Sequence, residues 1–138
     1  MADPIDPGTA LPDLQPVGWV RSELRDLRAA PRQGDEGAPA AWILLEPRFL
    51  DAAADLQVGD DLVVLTWLHR ADRGILRVHP RDDTSQPQRG VFSTRSQDRP
   101  NPIGLHRVRV LEVAPDRIQV SDLEAVDGTP VVDIKISL

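Results

Sequence analysis

Cysteine is absent from the 138 residues, and that single absence removes disulfides, thiolate zinc sites and cysteine nucleophiles together. No apolar run reaches membrane-spanning length, and no basic-then-apolar order marks the N-terminus. The chain therefore reads as neither membrane-inserted nor secreted, and a cytoplasmic location is expected. No Gly-x-Gly-x-x-Gly follows a strand and no P-loop occurs, which leaves a Rossmann nucleotide site and an NTPase without support. Ser93 and Ser96 lack the Gly-x-Ser-x-Gly setting of a hydrolase nucleophile. The three histidines, His69, His79 and His106, have neither helical i, i+4 spacing nor a carboxylate pattern beside them, so no metal site is expected. No internal repeat is found.

What is present fits one domain. The length suffices for a core without staples, and 41% apolar content argues against global disorder. Met1 to Pro16 holds four prolines, Gly8 and three aspartates and reads as a flexible N-terminal arm, leaving residues 17–138 as the folded domain. The formal net charge is −6, which taken alone argues against nonspecific coating of nucleic acid. Its distribution is uneven: Thr84 to Val110 carries five arginines (Arg89, Arg95, Arg99, Arg107 and Arg109) against one acid, Asp98. A local basic face on an acidic body suits a small anion or one defined nucleic-acid site, although arginines on the solvated side of a strand give the same pattern.

Strand signals dominate. Val17 to Val20, Ala41 to Leu45, Leu62 to His69, Ile75 to His79, Val91 to Thr94, His106 to Val113, Arg117 to Leu123 and Val131 to Ser137 read as strands, the last two with clear alternation. Ile75 to His79 is expected to partner the preceding strand through a turn at Asp72-Arg73-Gly74. Ala114-Pro115-Asp116 and Val126-Asp127-Gly128-Thr129 supply further turns, the latter with hairpin character. Pro47, Phe49, Leu50, Ala53 and Leu56 have helical spacing, and Gly59 ends the segment. The expected class is mainly β: a small closed or nearly closed barrel with one short helix.

The densest stretch runs Gly90-Val-Phe-Ser-Thr-Arg-Ser-Gln-Asp-Arg-Pro-Asn-Pro-Ile-Gly-Leu105. Pro100 and Pro102 fix φ and push Arg99 and Asn101 toward extended conformations, so the loop is stiff before any ligand arrives. Gly104 beyond it offers unusual backbone angles or close approach. Polar groups also stand at other strand ends, at Pro31-Arg32-Gln33, at Trp67-Leu68-His69-Arg70 and at Glu124 to Thr129, and in a barrel such ends can converge on one pocket. For Trp67 and His69, ordinary core packing is the competing account.

Pro31-Arg32-Gln33, the run Gly90 to Leu105 and Leu123-Glu-Ala-Val-Asp-Gly-Thr-Pro-Val-Val-Asp-Ile-Lys135 together resemble, in order, the signature of the TrmO family, also called TsaA-like or YaeB-like. The resemblance implies a β-barrel methyltransferase using S-adenosyl-L-methionine without a Rossmann fold, working as a homodimer, with N6 of threonylcarbamoyl-adenosine at position 37 of tRNA as its target. Carried over by motif, the cofactor site would comprise Pro31, Arg32, Gln33, His69, Arg70, Arg95, Leu105, Glu124, Ala125, Val126 and Asp127. Two departures stand out: Glu124 replaces an aspartate common in the family, and longer members continue beyond Asp-Ile-Lys. Asp127 or Glu124 could accept the N6 proton, and Arg99 and Arg107 are the phosphate candidates. A cofactor-binding sensor or regulatory module and a small-molecule methyltransferase are the alternatives.

Overall fold

The protein is described here by a computed structural model covering residues 8–23 and 39–138. Six strands form a closed ring. In chain order the strands are β1 (Gly18–Arg21), β2 (Ala41–Leu45), β3 (Asp61–Trp67), the short β4 (Arg77–Val78) and β5 (Arg89–Gly90), then β6 (Ile103–Ala114), β7 (Arg117–Val120) and β8 (Pro130–Ile136). The ring runs β1-β2-β7-β6-β3-β8, and Gly18↔Val131 and Trp19↔Pro130 close it. Closure leaves no unpaired strand edge in the barrel.

Period-two alternation sorts the side chains. On β6 the buried set is Gly104, His106, Val108 and Val110, while Ile103, Leu105, Arg107 and Arg109 face out. β6 pairs with β3 from Ile103 to Arg109 and with β7 from Val110 onward, and the register shift between Val110 and Glu112 marks the changeover. Such a bulge bends a long strand, which lets β6 serve two neighbours. Ile43, Leu62, Val64, Ile118, Val120 and Val131 fill the interior, joined by Leu123 and Ala125 from the connection between β7 and β8.

Several elements differ from expectation. The segment after Glu46 is a 3-10 helix, Pro47–Ala53, with no fully buried residue of its own. Ile75 to His79 does not partner β3, because both sides of β3 are occupied by β6 and β8. Its core, Arg77–Val78, pairs instead with Arg89–Gly90 in a separate two-stranded sheet. Val91 to Thr94 is a 3-10 turn at Val91–Ser93. Asp127-Gly128 is a turn but closes no hairpin, since β7 and β8 are not neighbours in the ring. Gly128 has φ 85° and donates to the carbonyl of Val20. The chain is thereby led over the barrel interior to β8.

Residues 8–16 have no regular structure and are largely exposed. Among the described residues no helix is long and apolar enough to cross a membrane.

Candidate functional site

The polar motifs fall on two structures, a lobe and a plug. The lobe is everything between β3 and β6, and its ends meet where Leu68 N donates to Pro102 O at 2.8 Å. Arg73 joins the lobe's two limbs: its Nε donates to Pro100 O at 2.7 Å, one terminal nitrogen donates to Asn101 Oδ1 at 3.0 Å, and its guanidinium lies 5.1 Å from the centroid of the Trp67 ring. Asp72 N donates to Asp98 Oδ1 at 2.8 Å, and Arg99 N donates to Asp72 O. The Pro-Asn-Pro step is thus gripped as well as intrinsically stiff.

Arg99 braces the same lobe from within. Its guanidinium donates to the carbonyls of Val91 (2.7 Å), Ser96 (3.1 Å) and Thr94 (3.3 Å). A side chain so committed is a poor point of first contact for a phosphate. Arg95, by contrast, is exposed and makes no hydrogen bond to the described residues. His69 and Arg70 are exposed where β3 runs into the lobe. Between His69 and Asn101 the lobe holds seven arginines against four aspartates, on a chain whose net charge is −6. Phe92 (85% exposed) and Leu76 (65%) stand out on it as bare apolar side chains.

Leu105 faces outward on β6, opposite Leu65, and Ile103 pairs with Trp67 on the same outer face. Ile103 and Leu105 remain about two-fifths exposed, at 42% and 40%. Arg107 is also exposed on this strand and lines a surface depression of about 460 Å³ with Arg109, Asp61 and Asp122. Arg109 is tied to Asp61 at 2.9 Å, a hydrogen bond that holds the Asp61 carboxyl below the usual carboxylate range.

The plug is the connection from Ser121 to Thr129. Leu123, Ala125 and Val126 are buried, backbone included, and pack the plug into the barrel. Asp127 Oδ1 accepts a hydrogen bond from Ser22 N at 2.9 Å and lies 4.0 Å from Arg21 Nε. Glu124 accepts at Oε1 from His106 Nδ1 at 2.7 Å, and His106 Nε2 is 2.7 Å from Thr66 Oγ1. The longer acid at this position is therefore matched by an imidazole that receives it. Glu124 Oε2 is the one buried side-chain polar atom without a hydrogen-bond partner among the described residues. Such an atom calls for a donor from a ligand or water.

Pro31, Arg32 and Gln33 lie outside the described residues. Sequence reasoning missed Thr66 and His106 as part of this arrangement. The i+2 series Gly104, His106, Val108, Val110 was the available signal, because it places the imidazole on the buried face. Gly104 also has a role different from the one expected of it: a Cβ there would lie 2.5 Å from Thr66 Oγ1 and 2.7 Å from His106 Nε2. The glycine makes room for an internal hydrogen bond.

Comparison with known proteins places this architecture. A probable S-adenosyl-L-methionine-binding protein of Methanothermobacter thermautotrophicus is 44% identical over 122 residues, covering 88% of this chain and 87% of the relative. A putative S-adenosylmethionine-dependent methyltransferase of Pseudomonas aeruginosa, RcsF, is 38% identical over 128 residues, covering 88% of this chain and 53% of its own length. The crystal structure of TrmO from Pseudomonas aeruginosa superposes with a TM-score of 0.73 at 30% identity, covering 94% of this chain and 57% of that chain. The chain thus spans little more than half of the solved TrmO protein. The model of the tRNA-methyltransferase O N-terminal domain matches residues 19–137, which takes in the lobe, the plug and all six barrel strands but for Gly18, and the chain belongs to that family.

Proposed function

We propose that the protein is an S-adenosyl-L-methionine-dependent methyltransferase that methylates N6 of threonylcarbamoyl-adenosine at position 37 of tRNA. The observation that carries this reading is the family match over residues 19–137. The site's chemistry is compatible with the cofactor: Glu124 Oε2 is a buried acceptor in want of a donor, and the cofactor's ammonium, adenine amino group and ribose hydroxyls are all donors. When bound, the cofactor supplies a methyl group already activated by its sulfonium. The protein's task is then to orient, exclude water and take up a proton, and orientation alone can contribute much of the rate.

The residue roles follow the family motif. Arg95, His69 and Arg70, on the lobe and its root, and Leu105 on the outer face of β6 make one wall of the cofactor site. Glu124 to Asp127 make another, and the family motif adds Pro31 to Gln33, which lie outside the described residues. Leu105 points away from the barrel interior while Glu124 reaches His106 inside it. One copy therefore presents these groups on opposite sides of β6, and a two-fold dimer would let each copy complete the other's site. The apolar strip of Ile103 and Leu105, with half-buried Val63, Leu65 and Trp67 beside it, is a surface such a dimer would cover. Asp127 or Glu124 would accept the N6 proton.

The tRNA assignment draws on the lobe, whose arginines suit phosphates and whose exposed Phe92 suits an unstacked base. Arg107 is the other phosphate candidate, and Arg99 is reserved for bracing. The cytoplasm, where tRNA is modified, would be the working compartment. A second reading, a cofactor-binding regulatory module, is favoured by one fact: relatives covered over most of their length are named for S-adenosyl-L-methionine binding and not for methyl transfer. Incubating tRNA with protein and S-adenosyl-L-methionine, then searching nucleoside digests by mass spectrometry for methylated threonylcarbamoyl-adenosine, separates the two. Product is expected; a protein that binds the cofactor and leaves tRNA unmodified would make the regulatory reading the correct one.

A further inference from the structure

The buried chain Thr66–His106–Glu124 has the connectivity of a hydroxyl, an imidazole and a carboxylate in series, yet its hydroxyl end is sealed. Thr66 is 0% exposed and His106 3% exposed. No substrate reaches Thr66 Oγ1, so nucleophilic use of this triad is excluded by access. The other end is the carboxylate: the Glu124 side chain is 14% exposed and lies nearest the surface, with Oε2 itself buried. A carboxylate only accepts, so His106 Nδ1 donates to Oε1, and Nε2 on the far side of the ring is hydrogen-bonded to the Thr66 hydroxyl. Each member is thereby oriented by the one behind it, and the last atom of the series, Glu124 Oε2, has no partner among the described residues.

We propose that His106, locked by Thr66, is a positioning residue that aims Glu124 so that Oε2 receives an N–H or O–H donor of the bound ligand. The inference rests on the methyltransferase reading for the ligand's identity. Glutamate has three side-chain torsions to fix, and a loop residue left to itself would lose that entropy on binding. The hydrogen bond from an imidazole packed in the barrel wall fixes them beforehand. Gly104 is part of the device, since its missing side chain leaves the gap in which Thr66 and His106 meet.

The test is calorimetric titration of S-adenosylhomocysteine into the intact chain and into Glu124→Gln, His106→Leu, His106→Asn and Thr66→Val, each first compared by thermal melting. Glu124→Gln should weaken binding by about tenfold or more, the range for a hydrogen bond to a charged group. His106→Leu should do likewise, and His106→Asn, whose amide can still donate to Oε1, should recover most of the loss. If His106→Leu does not fold, Glu124→Gln and Thr66→Val carry the test. Titration of 5′-methylthioadenosine locates the donor: a Glu124→Gln penalty that vanishes with this ligand assigns it to the ammonium, and one that persists assigns it to the nucleoside. A proton resonance on His106 Nδ1 that shifts on ligand addition would report the coupling directly. Parental affinity in Glu124→Gln would overturn the proposal by itself. Failure of the parent protein to bind either ligand would instead remove the methyltransferase reading, and the proposal with it.

Discussion

Gly104 sits where two buried polar side chains meet, and its lack of a Cβ is a steric requirement. A methyl group there would fall 2.5 Å from Thr66 Oγ1, so Gly104→Ala should cost about 1 to 3 kcal/mol, the usual range for overpacking a filled core. The double variant Gly104→Ala, Thr66→Ala should cost less than the two single changes added together, because removing Oγ1 clears the space. Thermal or urea denaturation of the four proteins measures both effects, and a parental melting point for Gly104→Ala would refute the account. At this scale the sequence was partly legible. Glu124 could be singled out because it breaks a motif, but its partner His106 lies 18 residues away and that residue's own partner Thr66 a further 40, joined only by the pairing of β3 with β6. The family motif gives Arg95 to the cofactor, and the basic run offers Arg99 to phosphate; the structure leaves Arg95 exposed and occupies Arg99 with three carbonyls, a bracing role no motif announces.

Among elements, the barrel strands were readable because a half-buried strand writes its two faces into alternate residues. β2 was expected at Ala41 to Leu45 and is found there. The lobe was not readable in the same way. Its order comes from side chains gripping backbone, Arg73 on Pro100 and Arg99 on Val91, and such contacts leave no periodic trace. That origin makes a prediction: Arg99→Ala should loosen the lobe locally by about 1.5 to 3 kcal/mol, the value of hydrogen bonds to a charged group. Hydrogen exchange at the amides of Thr94 and Ser96, which bond to Val91 O and Thr94 Oγ1, should accelerate on the order of tenfold or more, while β3 amides such as Val64 keep their protection. Unchanged exchange at both positions would show that Arg99 does not brace the lobe.

In the whole molecule the ring closes independently of what projects from it. Leu68 and Pro102 already face each other across a hydrogen bond, so replacing residues 69–101 by a two-residue Asn-Gly turn, with Pro102→Thr to supply the N–H that proline lacks, would make β3 and β6 an ordinary antiparallel hairpin. The shortened chain is expected to keep a β-rich circular dichroism spectrum and a cooperative melt, because loop closure becomes easier by about 2 kcal/mol and offsets lost lobe contacts. Loss of cooperative melting would show that the lobe is integral to the barrel. If the two parts are separable in this way, they are also free to change separately. Substitutions at Phe92, Leu76 or the exposed Arg95 would alter what the protein recognises without registering in its melting temperature, and substitutions of purely apolar core residues such as Ile43 or Val120 would do the reverse. A survey of variants scored by stability alone would therefore pass over the surface on which specificity is decided, and new specificities could be tried on an unaltered barrel.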